Sequence, residues 1–301
     1  SAREVTLTSL IPGTAYELYI RTVCTATSKS AWNVAIPFIT VLDIPLMCGS
    51  NIPLKDNGTD VLLLDVKQNG ILGVDVFLES VDLIVAHNWP ADLQLTLESP
   101  QGQRVVLTNH NGVNKDDFGD ITDITCKKVT SFAPNACISL KDSKPPYIGT
   151  FKLDGDISMW KPDTLSKGYW KLISYDRALK DVGALKYLNL KFNSINCLVP
   201  ENFKVTKSDV NAITVSWMPP PTCNTVNITL FRKGIVENLF FTSCASGTFK
   251  IDNLLPNEDY EITISSVCSF GTNSQESCKL KASTTCEPVT LSEGFDNRPL
   301  C

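Results

Sequence analysis

Histidine is almost missing from this chain: its 301 residues include two, His87 and His110. Hydrolysis of the serine-protease kind needs a nucleophile, a base and an orienting carboxylate in one pocket, and no nucleophile motif accompanies either histidine. There is no glycine-rich phosphate loop, no dinucleotide fingerprint and no Cys-x-x-Cys pair of the kind that binds zinc or cycles redox state. These absences predict a chain that is not an enzyme. Positive charge is also short, 27 Lys and Arg against 32 Asp and Glu for a net charge of −5, so no cationic field attracts nucleic acid or an anionic membrane. No apolar run approaches the ~20 residues that span a bilayer. The opening Ser-Ala-Arg-Glu-Val-Thr lacks signal-peptide architecture and reads as the start of a mature or excised region.

What is present is β-periodic. Residues 5–10, 16–23, 93–97 and 188–192 alternate apolar with polar, as half-buried strands of antiparallel sheets do, and Gly, Pro, Asn and Asp clusters separate them at short intervals. No long amphipathic helix interrupts the pattern, so the expected class is all-β, built as tandem antiparallel sandwiches. Eleven cysteines imply disulfides and an extracellular or cell-surface location, and the odd number leaves at least one without an in-chain partner. The disulfide candidates are Cys48, Cys126, Cys137, Cys197, Cys223, Cys244, Cys268, Cys278, Cys286 and Cys301; spacing leaves their connectivity open.

The sharpest signal is an internal repeat at an offset of 244 residues: Leu10-Ile11-Pro12-Gly13-Thr14-Ala15-Tyr16-Glu17 matches Leu254-Leu255-Pro256-Asn257-Glu258-Asp259-Tyr260-Glu261, and Val23-Cys24 matches Val267-Cys268. A Leu-x-Pro-x-x-x-Tyr turn leading into an alternating strand resembles the corner between the fifth and sixth strands of a fibronectin type III domain. Around the second copy, residues 200–205, 212–217 with Trp217, and 226–230 resemble the first three strands, so residues 197–285 read as a complete domain. Residues 1–43 read as the C-terminal half only, with Cys24 expected to lack its partner because the counterpart lies in the absent half.

Residues 44–196 carry a second resemblance, to the P domain (homo B domain) of subtilisin-like proprotein convertases, a jelly-roll-like sandwich. The matching residues are Ile52 to Gly58, His87-Asn88-Trp89-Pro90-Ala91-Asp92-Leu93, Leu97 to Gly102, Pro146 to Gly149, Gly168 to Leu172, and Asp176 with Asp181 to Leu185. Cys126 and Cys137, outside that pattern, read as a local disulfide. Residues 286–301 resemble the opening strand of a following module or a linking strand. The combination resembles large modular secreted bacterial surface proteins, and both ends read as lying inside domains.

His87, Trp89 and Asp92 fall in the P-like signature and read as packing and capping a strand turn. The acidic stretch 109–123 has two readings: a calcium loop with Asp116, Asp117 and Asp123 as oxygen donors, helped by the resemblance to calcium-binding P domains, or a solvated turn with Asx caps. Asp92 is an outer candidate for the same ion, whereas Asp154, Asp156, Asp176 and Asp181 read as turn residues. Calcium is the one cofactor expected. Asn57 and Asn227 begin N-glycosylation sequons, and Thr164 lies in a short bacterial O-glycosylation-like motif, Asp163-Thr164-Leu165. The expected function is a non-catalytic extracellular structural or adhesive segment, a subunit or repeat of a surface adhesin or filament, completed by strands from neighbours. Its partners would be copies of itself, adjoining domains of a longer chain, or a cell-surface or glycan ligand. The alternative is an accessory region of a secreted peptidase whose catalytic domain lies outside these residues.

Overall fold

Over a few residues, alternating apolar and polar side chains can bury one side and hydrate the other only as a strand at a sheet surface. Leu93, Leu95 and Leu97 are fully buried, and Gln94 and Thr96 between them are half-buried. The computed structural model describes residues 4–112, 117–157, 160, 164–194, 197–268 and 271–286. Nineteen strands appear among them, and the chain divides into residues 1–193 and 194–301.

In the first unit, β1 (Ala15–Leu18) and β2 (Ile36–Ile39) form a separate two-stranded sheet. Next come β3 (Val41–Asp43), β4 (Ile52–Leu54), β5 (Gly58–Val66), β6 (Val76–His87), β7 (Leu93–Glu98), β8 (Arg104–Asn109), β9 (Thr130–Ala133), β10 (Gly149–Lys152), β11 (Gly168–Asp176) and β12 (Gly183–Ser194). They make two five-stranded sheets, ordered β10-β9-β6-β12-β4 and β3-β5-β11-β7-β8, that share one apolar core. Trp170 lies wholly inside it, its ring 5.5 Å from those of Trp160 and Phe192, and its indole N–H donates to Ser166 O at 2.7 Å.

Two edge pairs in this sandwich are parallel rather than antiparallel, β3 with β5 and β10 with β9. The chain leaves β3 for β4 in the opposite sheet before returning to β5, and two crossings restore its direction. Between β9 and β10 it runs through residues 134–148, a connection long enough for a parallel return. Within that connection Tyr147 is buried against Phe118, which anchors the segment to the core.

Glu98, at the end of β7, is nearly buried and ion-paired with Lys171 at 2.5 Å and Arg104 at 2.6 Å. Burial disfavours its charged form, but the hydrogen bonds from Lys171 and Arg104 outweigh that and hold the carboxyl below its ordinary value of 4.5. A folded-state pKa below the unfolded one gives a contribution to stability that is complete above the unfolded value and lost as pH falls through the folded one. Glu98→Gln is therefore expected to flatten the acid limb of a Tm-versus-pH curve below 4.5, read by circular dichroism melts; an unaltered limb would show that the pair contributes nothing there.

The second unit holds β13 (Glu201–Ser208), β14 (Ile213–Met218), β15 (Cys223–Arg232), β16 (Ile235–Ser243), β17 (Thr248–Ile251), β18 (Asp259–Cys268) and β19 (Leu280–Ser283). Sheets β13-β14-β17 and β16-β15-β18-β19 enclose a core that includes Val215, Trp217, Ile228, Ile262 and Ile264. Strands one, two and five on one side and four, three, six and seven on the other give the type III arrangement.

The disulfides are Cys48–Cys126, Cys197–Cys268 and Cys223–Cys244, and Cys137, Cys278 and Cys286 are also disulfide-bonded. Cys301 lies outside the described residues. The expected local bridge between Cys126 and Cys137 is corrected by the first of these. Residues 117–129 run beside β6, with Phe118 bridging to Val85 and Gly119 passing close to Ile84. Cys126, at a left-handed φ of 49°, ends that turn facing Cys48, on a segment that Leu46 N fastens to Leu188 O of β12.

Candidate interaction surface

The residues that could carry chemistry are engaged in holding turns. His87 is buried at the end of β6; its Nδ1 accepts from Trp89 N at 3.1 Å, which leaves the proton on Nε2, 3.2 Å from Asp176 Oδ2. Asp176 also accepts from Ala178 N, and Asp92 pairs with Arg177 at 2.9 Å. No room is left around the ring: a Cβ on Gly183 would stand 2.6 Å from His87 Cδ2. The Asp181 carboxyl titrates above its ordinary value through partial burial and the nearby charges of Asp92, Asp176 and Asp56, with His87 opposing. This is a tight post under a strand turn. His110 has a left-handed backbone and sets its ring edgewise on Tyr175.

Two of the expected calcium donors, Asp117 and Asp123, accept hydrogen bonds from backbone amides. Asp117 Oδ1 accepts from His87 N at 2.8 Å. Asp123 caps the next turn: Oδ1 accepts from Thr125 N and its hydroxyl, and Oδ2 from the amides of Lys127 and Lys128. Those donors, the Thr125 hydroxyl first, hold its carboxyl far below the carboxylate range. Asp116 lies outside the described residues, among which no group of three or more His, Cys, Asp or Glu is arranged to hold a metal. Asp154 binds Asn109 N at 2.7 Å and also Asn111, fastening the loop after β8.

The glycan candidates separate by exposure. Asn57 stands exposed in the turn between β4 and β5 with a left-handed φ of 48°. Asn227 is half-buried on central strand β15, flanked by Phe241 and Ser265, and its Oδ1 is enclosed without a hydrogen-bond partner. Thr164 corrects the third expectation: it is fully buried and its hydroxyl donates to Gln103 Oε1 at 2.9 Å, so the folded sandwich has no space for a sugar there. Asp163 lies outside the described residues.

One surface is unlike the rest. Hairpin β1–β2 repeats β18–β19 in register, with Tyr16 opposite Phe38 and Leu18 opposite Ile36 where Tyr260 faces Ala282 and Ile262 faces Leu280. Its corner has the same bonds. Ile11 N donates to Tyr16 Oη at 2.8 Å as Leu255 N does to Tyr260 Oη at 3.0 Å. Thr40 Oγ1 donates to Ile11 O as Thr284 Oγ1 does to Leu255 O, both at 2.6 Å. Burial is where they part. Ile264 is completely covered, whereas its counterpart Ile20 is 55% exposed, and Val5, Ile11, Trp32, Val34 and Ile36 are exposed nearby. Single exposed apolar residues are ordinary; a contiguous face of them marks a surface that associates.

Residues 79–132 match the family model of the proprotein convertase P-domain. No curated protein matches the chain. Among solved structures, the FN5 domain of Drosophila Lar is 23% identical, covering 30% of this chain and 97% of its own, with a TM-score of 0.26. The fn3 domain of human contactin 1 is 18% identical over 32% of this chain and 83% of its own, TM-score 0.29. The fn3 domain of the human collagen alpha-1(XX) chain is 19% identical over 34% and 97%, TM-score 0.29. The chain therefore combines a P-domain-like sandwich with a fibronectin-like one, the latter assigned from its own strand order.

Proposed function

We propose that this chain is a non-catalytic, extracellular structural or adhesive segment that assembles through strand completion, the hairpin β1–β2 receiving strands from a neighbouring subunit. The observation that carries the reading is the uncovered apolar face of that hairpin beside its fully covered counterpart in residues 248–284. A two-stranded sheet with one apolar face is marginal in water, and an unpaired β1 edge is a template for another strand. A face that takes strands from the next molecule is heterologous, so it generates linear arrays rather than closed dimers. Disulfides on both sandwiches support an oxidising, extracellular setting. Negative-stain microscopy with light scattering is expected to show concentration-dependent fibres or oligomers; a monodisperse monomer with residues 15–39 protected from hydrogen exchange would reject the reading.

The match of residues 79–132 to the convertase P-domain favours one second reading, an accessory region of a secreted peptidase. Rescue of folding or activity of a separately supplied peptidase domain by this chain would raise that reading above the first. Calcium at Asp116, Asp117 and Asp123 is a further proposal, supported by the P-like resemblance and not required for assembly. A Tm that rises in calcium relative to EDTA, and no longer rises in Asp117→Asn, would support it; an unchanged Tm in the parent chain rejects it.

A further inference from the structure

Four cysteines of the second unit meet at one end of the sheet β16-β15-β18-β19. Cys223, the first residue of β15, lies directly opposite Cys268, the last residue of β18, closing the antiparallel ladder beyond a bulge at Asn224. These two are not bonded to each other: Cys223 is bonded to Cys244, and Cys268 to Cys197. Residues opposite in an antiparallel ladder point to the same face with Cα atoms about 4.5–5.5 Å apart, inside the usual range of about 4.4–6.8 Å for a disulfide. Two bridges therefore stand side by side, each holding one half of a third pairing that the ladder brings within reach. Thr222 Oγ1, beside Cys223, donates to Cys268 Sγ at 3.8 Å, which places that sulfur at the start of β15.

The surroundings of the four residues put the steps of an exchange in order. Cys244 and Cys268 are buried, whereas Cys197 and Cys223 are half-buried. Exchange proceeds by attack of a thiolate on one sulfur of a bridge while the other sulfur leaves, so access decides which sulfur is taken. In the bridge between Cys197 and Cys268, a thiol arriving from solvent meets Cys197. The sulfur it expels, on Cys268, is covered from solvent and faces Cys223 across the ladder.

We infer that Cys197, Cys268, Cys223 and Cys244 form one thiol–disulfide exchange site whose substrate is a low-molecular-weight thiol of the glutathione class. The small thiolate attacks the Cys197 sulfur; a bond forms between them, the Cys197–Cys268 bond breaks, and Cys268 is left as thiolate. Cys268 then attacks Cys223, the Cys223–Cys268 bond forms, and Cys244 leaves and takes up the proton that the small thiol gave up. One thiol enters, one thiol remains on Cys244, and the number of disulfides is unchanged, so no oxidant or reductant is consumed. The exchange releases a tie. Cys197 precedes β13, and its bridge fastens the entry of the second unit to the end of β18. Afterwards that entry keeps the pairing of β13 with β14 and has no covalent tie to β18, while β15 and β18 gain a direct one. None of this depends on the assembly reading.

The test is disulfide mapping of the full chain after graded exposure to reduced glutathione without denaturant, with an acid quench, alkylation by N-ethylmaleimide in urea and peptic digestion in acid. A peptide pair joined through Cys223 and Cys268 should appear in step with glutathione on Cys197, alkylation of Cys244 and loss of the Cys223–Cys244 pair. Amides at 201–204 should exchange roughly 10-fold faster in that product. Cys197→Ser removes the first step and presents Cys268 as a thiol from the outset, so this variant should carry both Cys223–Cys244 and Cys223–Cys268 with no glutathione added. Should Cys197→Ser fail to fold, the map of the parent chain decides. Glutathione on Cys197 with Cys268 alkylated and Cys223–Cys244 intact overturns the inference. It is equally overturned by capture of Cys268 by Cys278 or Cys286, by native pairing that persists until the chain unfolds, or by a folded Cys197→Ser chain that holds Cys223–Cys244 alone.

Discussion

Trp170→Ala is expected to cost the central sandwich about 3–5 kcal/mol, the range for deleting a buried aromatic side chain, enough to leave it mostly unfolded if its stability is ordinary. Trp170 is completely buried in β11, in ring contact with Trp160 and Phe192, and its strand is the middle of its sheet, paired with β5 on one side and β7 on the other. Alanine removes the apolar surface, leaves a cavity bounded by two strands that cannot close on it, and strands Ser166 O without its donor. Urea unfolding followed by tryptophan fluorescence and circular dichroism should show one transition moving while that of residues 194–301, which have a separate core containing Trp217, stays in place. Trp170→Phe should cost less, since it keeps the ring contacts and loses only the indole donor. Equal loss from both variants would mean that the hydrogen bond, not the packing, sets the stability.

Removing the Cys48–Cys126 bridge by the double substitution Cys48→Ser, Cys126→Ser is expected to cost about 4 kcal/mol, from the loss of a cross-link separated by 78 residues. The effect should be local in exchange as well as global in stability. Residues 117–129 run beside β6, whose residues 80–85 are all buried, and the bridge fastens that segment to the one beside β12. Amides at 117–128 should therefore exchange faster in the variant, while those of β7 and β11 change only through the global term. A variant with unaltered loop exchange would show that the Asp120 and Asp123 turn bonds hold the segment without the bridge.

These two substitutions mark different degrees of legibility. Trp170 could be placed in the core from its alternation with Leu172 in the sequence, because a period of two assigns each side chain to a face without reference to anything distant. Cys126 could not be paired with Cys48 that way. Its partner depends on where the intervening loop runs, and that is fixed by distant pairings such as the bridge of Phe118 to Val85 in β6. Thr164 and Asp123 illustrate a related point: a short motif or a run of acids says what a side chain can do, whereas burial and nearby donors decide what it is already doing.

The sequence alone determined the class of this protein and its internal duplication, because strand periodicity and the Leu-x-Pro-x-x-x-Tyr corner are local, satisfied within a few residues wherever they occur. Only the tertiary structure decided that the two copies of the corner differ in cover, with Ile264 sealed and Ile20 open. Burial is a property of what packs against a residue from elsewhere in the fold, and similar local sequences can form the same hydrogen bonds while one apolar face is covered and the other is not.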